Sequence, residues 1–197
     1  MSLTDPPLPS LSPEEIDIGL KAIDCDRKRY VELGILERED PTAPVSWETI
    51  QEKRDVLSVY LRDVREKNKV LEDLAKKVGL LTRILTGRLL NKTVEVKPKK
   101  GLVFRSSTGQ VISPSHLSSG EQHEFILVYE LLFKARENGL VLIDEPEMSL
   151  HLEWQDSFLK NIWDIVHLSG VDVVLATHAP AIIGEHWDLT VRLGEPG

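Results

Sequence analysis

The chain has almost no cysteine: Cys25 stands alone among 197 residues. A single thiol builds no disulfide framework and no cysteine-based zinc site, so the small stapled folds and zinc-ribbon classes are excluded. His116, His123, His151, His167 and His186 show no metal-ligand spacing and are assigned no site. Long hydrophobic runs are missing as well. No apolar stretch approaches the roughly 18 residues that suggest a membrane span. The opening MSLTDPPLPSLSP has no basic segment followed by an apolar one, unlike a secretory signal. A cytoplasmic protein is the resulting expectation. At 41% hydrophobic residues, the chain can still bury the core of one domain, with room for an appended arm.

Net charge is −8, but unevenly placed. Residues 53–100 carry 14 Lys and Arg against 6 Asp and Glu, whereas both flanks are acidic. An acidic total argues against nucleic acid as a general partner, and the basic block is a local exception to it.

The hydrophobic pattern divides the chain into three expected segments: a flexible leader over 1–12, a helical arm over 13–90 and an α/β lobe over 91–197. Ser12 followed by Pro13 and two acids opens a helix expected to reach about Glu39. The stretch EDPTAPVS then breaks it, since two prolines in four residues cannot continue a helix. A second helix is expected from Trp47 to Leu90. Its apolar residues Ile50, Leu57, Val64, Leu71, Val78 and Leu85 recur every seventh position, as in a coiled coil or amphipathic arm. Gly79 and Gly87 are the places where it would break. On its opposite face Arg62, Lys69, Lys76 and Arg83 form a basic ridge, either a solvated surface or a track for a DNA backbone.

After Asn91 the period changes. TVEV, GLVF and QVI read as short antiparallel strands. A helix starting at LSSGEQ is expected to run to Asn138-Gly139. LVLID (140–144) and VDVVLAT (171–177) are continuous apolar runs, the pattern of parallel strands covered on both faces. The helix between them closes at Gly170, giving a β-α-β order and an α/β fold.

Three places carry chemistry. In LSSGEQ, Ser118 and Glu121 form a capping box, which many unrelated helices possess, but a helix N-terminus also binds anions. In LVLIDEPE a buried strand delivers Asp144 and Glu145 to its C-terminal edge, where open α/β sheets bind ligands. Side chains alternate along a strand, so the two acids take different directions. Asp144 can hold Mg²⁺, directly or through water, and Glu145 can take a proton from an attacking water. The bland alternative is a solvated acidic turn ended by Pro146. VVLATHAP places His178 at the corresponding edge of the neighbouring strand, where it could sense a phosphate or simply cap a loop.

These motifs fall in a fixed order, with 26 residues from Ser118 to Asp144 and 33 from Glu145 to His178. In that order they resemble the C-terminal half of an ABC-type ATPase: LSSGEQ the signature, LVLIDEPE the Walker B, MSLH the D-loop and ATHAP the switch-histidine loop. The spelling is closer to soluble SMC, RecF and OLD-type ATPases than to membrane transporters. The likeness covers residues 117–180 and fades before about residue 90. It implies that Ser118, Ser119, Gly120 and Glu121 grip the γ-phosphate of ATP held by an opposite protomer. It further implies Asp144 supporting Mg²⁺, Glu145 as general base, His178 as switch, and a homodimer of ATPase heads. Work on DNA repair, chromosome maintenance or anti-phage defence would follow. Ser119 departs from the family's usual Gly. His151 stands where the D-loop Asp is usual, so that residue's cross-dimer contact is not implied here.

One element of such a site is absent from the sequence. No G-x-x-x-x-G-K-[ST] occurs; the nearest stretch, Gly87 to Thr93, lacks the second Gly and runs from helix to strand. The chain therefore reads as the signature and Walker B half of an ATPase whose P-loop lies in another half or chain. The alternative is a non-catalytic binding or scaffold module derived from such an enzyme.

Overall fold

The computed structural model describes residues 10–38, 44–150, 152–192 and 194. Most of the expected leader, residues 39–43 of the EDPTAPVS break and His151 lie outside the described residues. The chain divides into two compact units, Met1–Ala75 with Val96–Lys99 and Lys76–Glu95 with Lys100–Gly197.

The first unit is helical. Helix α1 (Pro13–Glu32) starts at a full capping box, with the Ser12 hydroxyl accepting from Glu15 N–H and the Glu15 carboxylate accepting from Ser12 N–H. It stops seven residues short of the expected Glu39. Gly34 lies at φ +71°, and a Cβ there would stand 1.8 Å from the Val96 carbonyl oxygen. Only glycine permits both that conformation and that approach. The stop itself is local: Gly34 N–H donates to the Val31 carbonyl and Ile35 N–H to the Tyr30 carbonyl, a Schellman cap with Gly34 in its left-handed position.

The expected single helix from Trp47 to Leu90 is two helices. Helix α2 (Trp47–Glu52) ends where Lys53 leaves helical geometry, at φ −110° and ψ 29°. Helix α3 (Arg54–Thr86) follows at once. At the break, the Arg54 guanidinium donates to the carbonyls of Ser10 and Leu11. The Ser58 hydroxyl accepts from Leu11 N–H. These bonds to distant backbone are invisible to a heptad count. Gly79 does not break α3. Ile16, Ile50 and Leu61 form this unit's core. Beside it Arg29 and the buried Tyr30 both donate to Glu72.

In the second unit the end of α3 contributes Leu81 and Leu85, and the turn after it Leu89, to a larger core. Strands β1 (Lys92–Lys97), β2 (Gly101–Ser106) and β3 (Val111–Ile112) form a sheet in the order β1-β2-β3, with β2 and β3 antiparallel. Helix α4 (Ser119–Phe133) buries Val128, Leu131 and Leu132. It ends five residues before the expected Asn138. Asn138 adopts φ +59°, and Asn138 N–H donates to the Gly170 carbonyl, so residues 134–139 form a turn that feeds the next strand. Strands β4 (Leu140–Asp144) and β5 (Asp172–Ala176) pair in parallel, joined by helix α5 (Leu152–Ser169); a short helix α6 (Pro180–Ile183) follows. The protein is a mixed α/β chain with a helical region, an antiparallel sheet and a parallel pair, as expected.

The parallel pair differs from expectation in one respect. Val141, Ile143, Val173 and Leu175 pack on the core, but Leu140, Leu142 and Val174 are 62%, 71% and 56% exposed. One face is covered and the other is bare. An unbroken apolar run predicts burial on both faces, and here none of the unit's described residues supplies the second layer. Among the described residues, no helix is long and apolar enough to cross a membrane.

Candidate functional site

The parallel register pairs Asp144 with Ala176, so both strands end at the same level. Glu145 N–H donates to the Ala176 carbonyl, and the chain then turns sharply. Glu145 sits at φ 41° and ψ 55°, a left-handed conformation that a branched or bulky residue adopts only at a cost. That turn swings the Glu145 carboxylate beside the neighbouring strand's exit. His178 Nε2 lies 3.4 Å from Glu145 Oε1. Both side chains are open to solvent, His178 at 88% and Glu145 at 45%. Asp144 is also exposed. The structure thus brings Asp144, Glu145 and His178 to one edge.

A fourth residue organises that edge, and sequence reasoning passed over it. Glu147 Oε1 accepts from the Thr177 hydroxyl at 2.8 Å and from His178 N–H at 2.7 Å. The Thr177 hydroxyl oxygen in turn accepts from Ala179 N–H. Burial pushes the Glu147 carboxyl up, but bonds from the backbone N–H groups of Glu147, His178 and Ala179 and from Thr177 outweigh it and hold it below the ordinary value. Its Oε2 is buried without a partner. Glu147 clamps the backbone at His178 while leaving the ring free. The only sequence signal was the second Glu of D-E-P-E, two residues past Glu145.

The LSSGEQ turn is a separate locus. Ser118 caps α4, its hydroxyl accepting from Glu121 N–H at 3.3 Å. Ser118 N–H donates to Glu121 Oε2 at 2.7 Å, which completes the box. The Ser119 and Gly120 backbone opens the helix, where uncompensated N–H groups and the macrodipole favour an anion. Glu121 faces inward. Its carboxylate is almost fully buried and receives Lys92 Nζ at 2.8 and 2.9 Å and Leu90 N–H at 3.2 Å. Burial alone would raise the Glu121 carboxyl, but the Lys92 and Ser118 donors and the Lys92 charge leave it lowered. Its oxygens are committed to the protein, so it braces the turn from beneath. Among the described residues, no hydrogen bond or ion pair joins Ser118–Glu121 to Asp144, Glu145 or His178.

Behind α4 lies a second ion pair that sequence reasoning did not single out. Arg88 and Glu124 are 6% and 3% exposed and 3.3 Å apart. Arg88 also donates to Ser157 and lies over the Trp154 ring, both on α5. Burial pushes the Arg88 guanidinium down and the Glu124 carboxyl up, each opposed by the other's charge. Arg88 Nη1 and Glu124 Oε2 remain unpaired.

The basic ridge is partly spent on carboxylates. Lys69 pairs with Glu66 and Arg83 with Asp164, while Arg62 and Lys76 also have protein contacts.

No cluster of three His, Cys, Asp or Glu side chains that could hold a metal occurs among the described residues. Asp144 is an exposed carboxylate at a strand edge, which fits one oxygen ligand of a hard cation and no more.

An exposed carboxylate–imidazole pair thus stands at the C-terminal edge of the parallel strands, and a capped helix start lies in the same unit. The chain matches, over residues 27–184, the family described as "AAA domain, putative AbiEii toxin, Type IV TA system", and it belongs to that family. It is 32% identical over 69 residues to protein ea59 of Escherichia phage lambda, covering 35% of this chain and 13% of that protein. It is 33% identical over 95 residues to an uncharacterized ABC transporter ATP-binding protein of Mycobacterium tuberculosis, covering 48% of this chain and 35% of that one. The chain therefore spans well under half of these curated relatives. Among solved structures, an Smc head domain with an extended coiled coil, bound to the C-terminal domain of ScpA from Pyrococcus furiosus, aligns over 87% of this chain and 46% of its own. The TM-score is 0.34 and the identity 15%.

Proposed function

We propose that this chain is the signature and Walker B half of an ABC-type ATPase, completed by a P-loop supplied from elsewhere. The observation that carries the reading is the β4/β5 edge, where Glu145 and His178 stand 3.4 Å apart beside Asp144. ATP with Mg²⁺ would bring the reactive phosphate and the cation that neutralises it. Glu145 accepts the proton of the attacking water, and its left-handed backbone aims it across the strand exit. His178, exposed and adjacent, is placed to hydrogen-bond the same water or a phosphate oxygen. Asp144 would give the cation one oxygen ligand. Ser118, with the N–H groups of Ser119 and Gly120, offers donors to a phosphate held by an opposing protomer.

The bare face of β4 and β5 supports a second layer of protein. Parallel strands are stable when both faces are covered, and Leu140, Leu142 and Val174 await such cover. A P-loop lobe laid on that face would complete sheet and site together, and two such heads would close on ATP as a homodimer. DNA repair, chromosome maintenance and anti-phage defence remain the processes this family resemblance suggests. A DNA track along Arg62, Lys69, Lys76 and Arg83 has less support, because these cations already hold protein partners.

The test is titration calorimetry with Mg-ATP on this chain alone and with its P-loop half. Weak or no binding alone, and restored binding and turnover on reconstitution, is the expected result. Tight stoichiometric binding by the isolated chain would sink the half-site reading.

A further inference from the structure

Helix α3 has a second apolar stripe, distinct from the one that packs on α1. Val56, Tyr60, Val70 and Leu74 are 68%, 49%, 74% and 37% exposed, and Asp63 and Lys67 between them are exposed too. At 3.6 residues per turn, these six positions fall within a stripe roughly 80° wide. Their spacing alternates four and three residues, the pattern of a two-helix seam. Leu61 and Glu72, which meet α1-side partners, lie well around the helix from it.

The order of the stripe is palindromic about position 65. Val56 mirrors Leu74, Tyr60 mirrors Val70, and Asp63 mirrors Lys67. We propose that this stripe is a self-association surface on which a second copy of the chain docks antiparallel, with a two-fold axis crossing the seam at the level of residue 65. In that arrangement each mirror pair becomes a contact layer: Val56 on the partner's Leu74, Tyr60 on the partner's Val70, and Asp63 on the partner's Lys67. A two-fold contact is isologous, so every layer occurs twice. A parallel pairing would set Asp63 against Asp63 and Lys67 against Lys67, two like-charge layers at the centre of an apolar seam. Charge therefore selects the antiparallel orientation, and a central polar layer fixes the register at some cost in stability. The overlap from 56 to 74 runs about 28 Å along the helix. This contact involves no nucleotide, so it stands or falls independently of the ATPase reading.

The test uses the full chain without nucleotide. Sedimentation velocity at up to about 100 μM, where a micromolar contact is well populated, should show a dimer. Asp63→Lys makes both central layers Lys against Lys and should weaken the dimer roughly tenfold or more. The double exchange Asp63→Lys with Lys67→Asp should restore it. Both positions are exposed, so circular dichroism of the variants should match the parent. Spin labels at Glu66→Cys and Asp73→Cys, in a Cys25→Ser background, read the orientation. The Glu66 labels should lie close and the Asp73 labels about 24 Å apart along the axis. A monomer at the highest concentration overturns the proposal. So does a dimer indifferent to both Asp63→Lys and Val70→Asp, or one in which the two labels report equally short distances.

Discussion

Replacing Lys92 with Met tests whether the LSSGEQ turn is held from below by charge. Lys92 Nζ reaches both oxygens of Glu121, whose side chain is 2% exposed, while the Lys92 side chain is 23% exposed. Removing one partner of a buried pair costs about 3–5 kcal/mol, because the other charge is left stranded. Two features reduce this. Lys92 is partly solvated, and Ser118 N–H and Leu90 N–H still serve the carboxylate. An expected cost is therefore about 2–3 kcal/mol at neutral pH, or roughly 4–12 °C in Tm for a chain of this size. The pH dependence has a definite sign. Glu121 is lowered in the folded state, so the unfolded chain binds its proton more readily, and the pair stabilises above the ordinary Glu value of about 4.3. That contribution is lost as pH falls through the lowered folded value. The penalty of Lys92→Met should thus be full at pH 7 and shrink in acid. Gln at 121 keeps the capping box, so adding Glu121→Gln should recover part of the loss, with a coupling of about 1 kcal/mol or more. Thermal and urea unfolding followed by circular dichroism measures all four species. A shift below about 2 °C at pH 7, or a cost undiminished in acid, would refute the reasoning.

Three further outcomes concern the reconstituted ATPase. Glu145→Gln should keep ATP binding and lower turnover by about 10²–10⁴, trapping closed heads on gel filtration, because an amide cannot take the water's proton; wild-type turnover would identify another base. Ser118→Arg should abolish ATP-driven closure while leaving α4 folded, which light scattering with and without ATP resolves. Glu147→Ala should release the His178 backbone and reduce kcat on the order of 10²-fold at unchanged KM for ATP. In the chain alone, the same change should speed hydrogen exchange at the His178 amide, and unchanged exchange would exclude the clamp.

Local signals were legible in the sequence wherever the deciding partner was near in the chain. The capping box of Ser118 and Glu121 and the Ser12 cap of α1 formed as expected, since a side chain bonding backbone three residues away needs nothing distant. The period change after Asn91 located the three antiparallel strands, and the two apolar runs located the parallel pair. Errors fell where distant backbone intervened. Arg54 reaching Ser10 and Leu11 accompanied the break at Lys53, and Asn138 bonding Gly170 accompanied the early end of α4. The end of α1 at Gly34 was a local signal, a Schellman cap, that sequence reasoning passed over.

The site divides in the same way. The sequence by itself located the ends of the two strands to within a residue, because the apolar runs expected over 140–144 and 171–177 end as strands at Asp144 and Ala176. It also determined that no P-loop lies within these residues. Only the tertiary structure decided that Glu145 turns through a left-handed backbone to meet His178, that Glu147 rather than a nearer residue holds that loop, and that Glu121 faces Lys92 instead of solvent. It alone decided that one face of the parallel pair stays bare. Hydrophobicity along a strand records that a surface needs cover, and carries no record of which part of the chain, or which other chain, provides it.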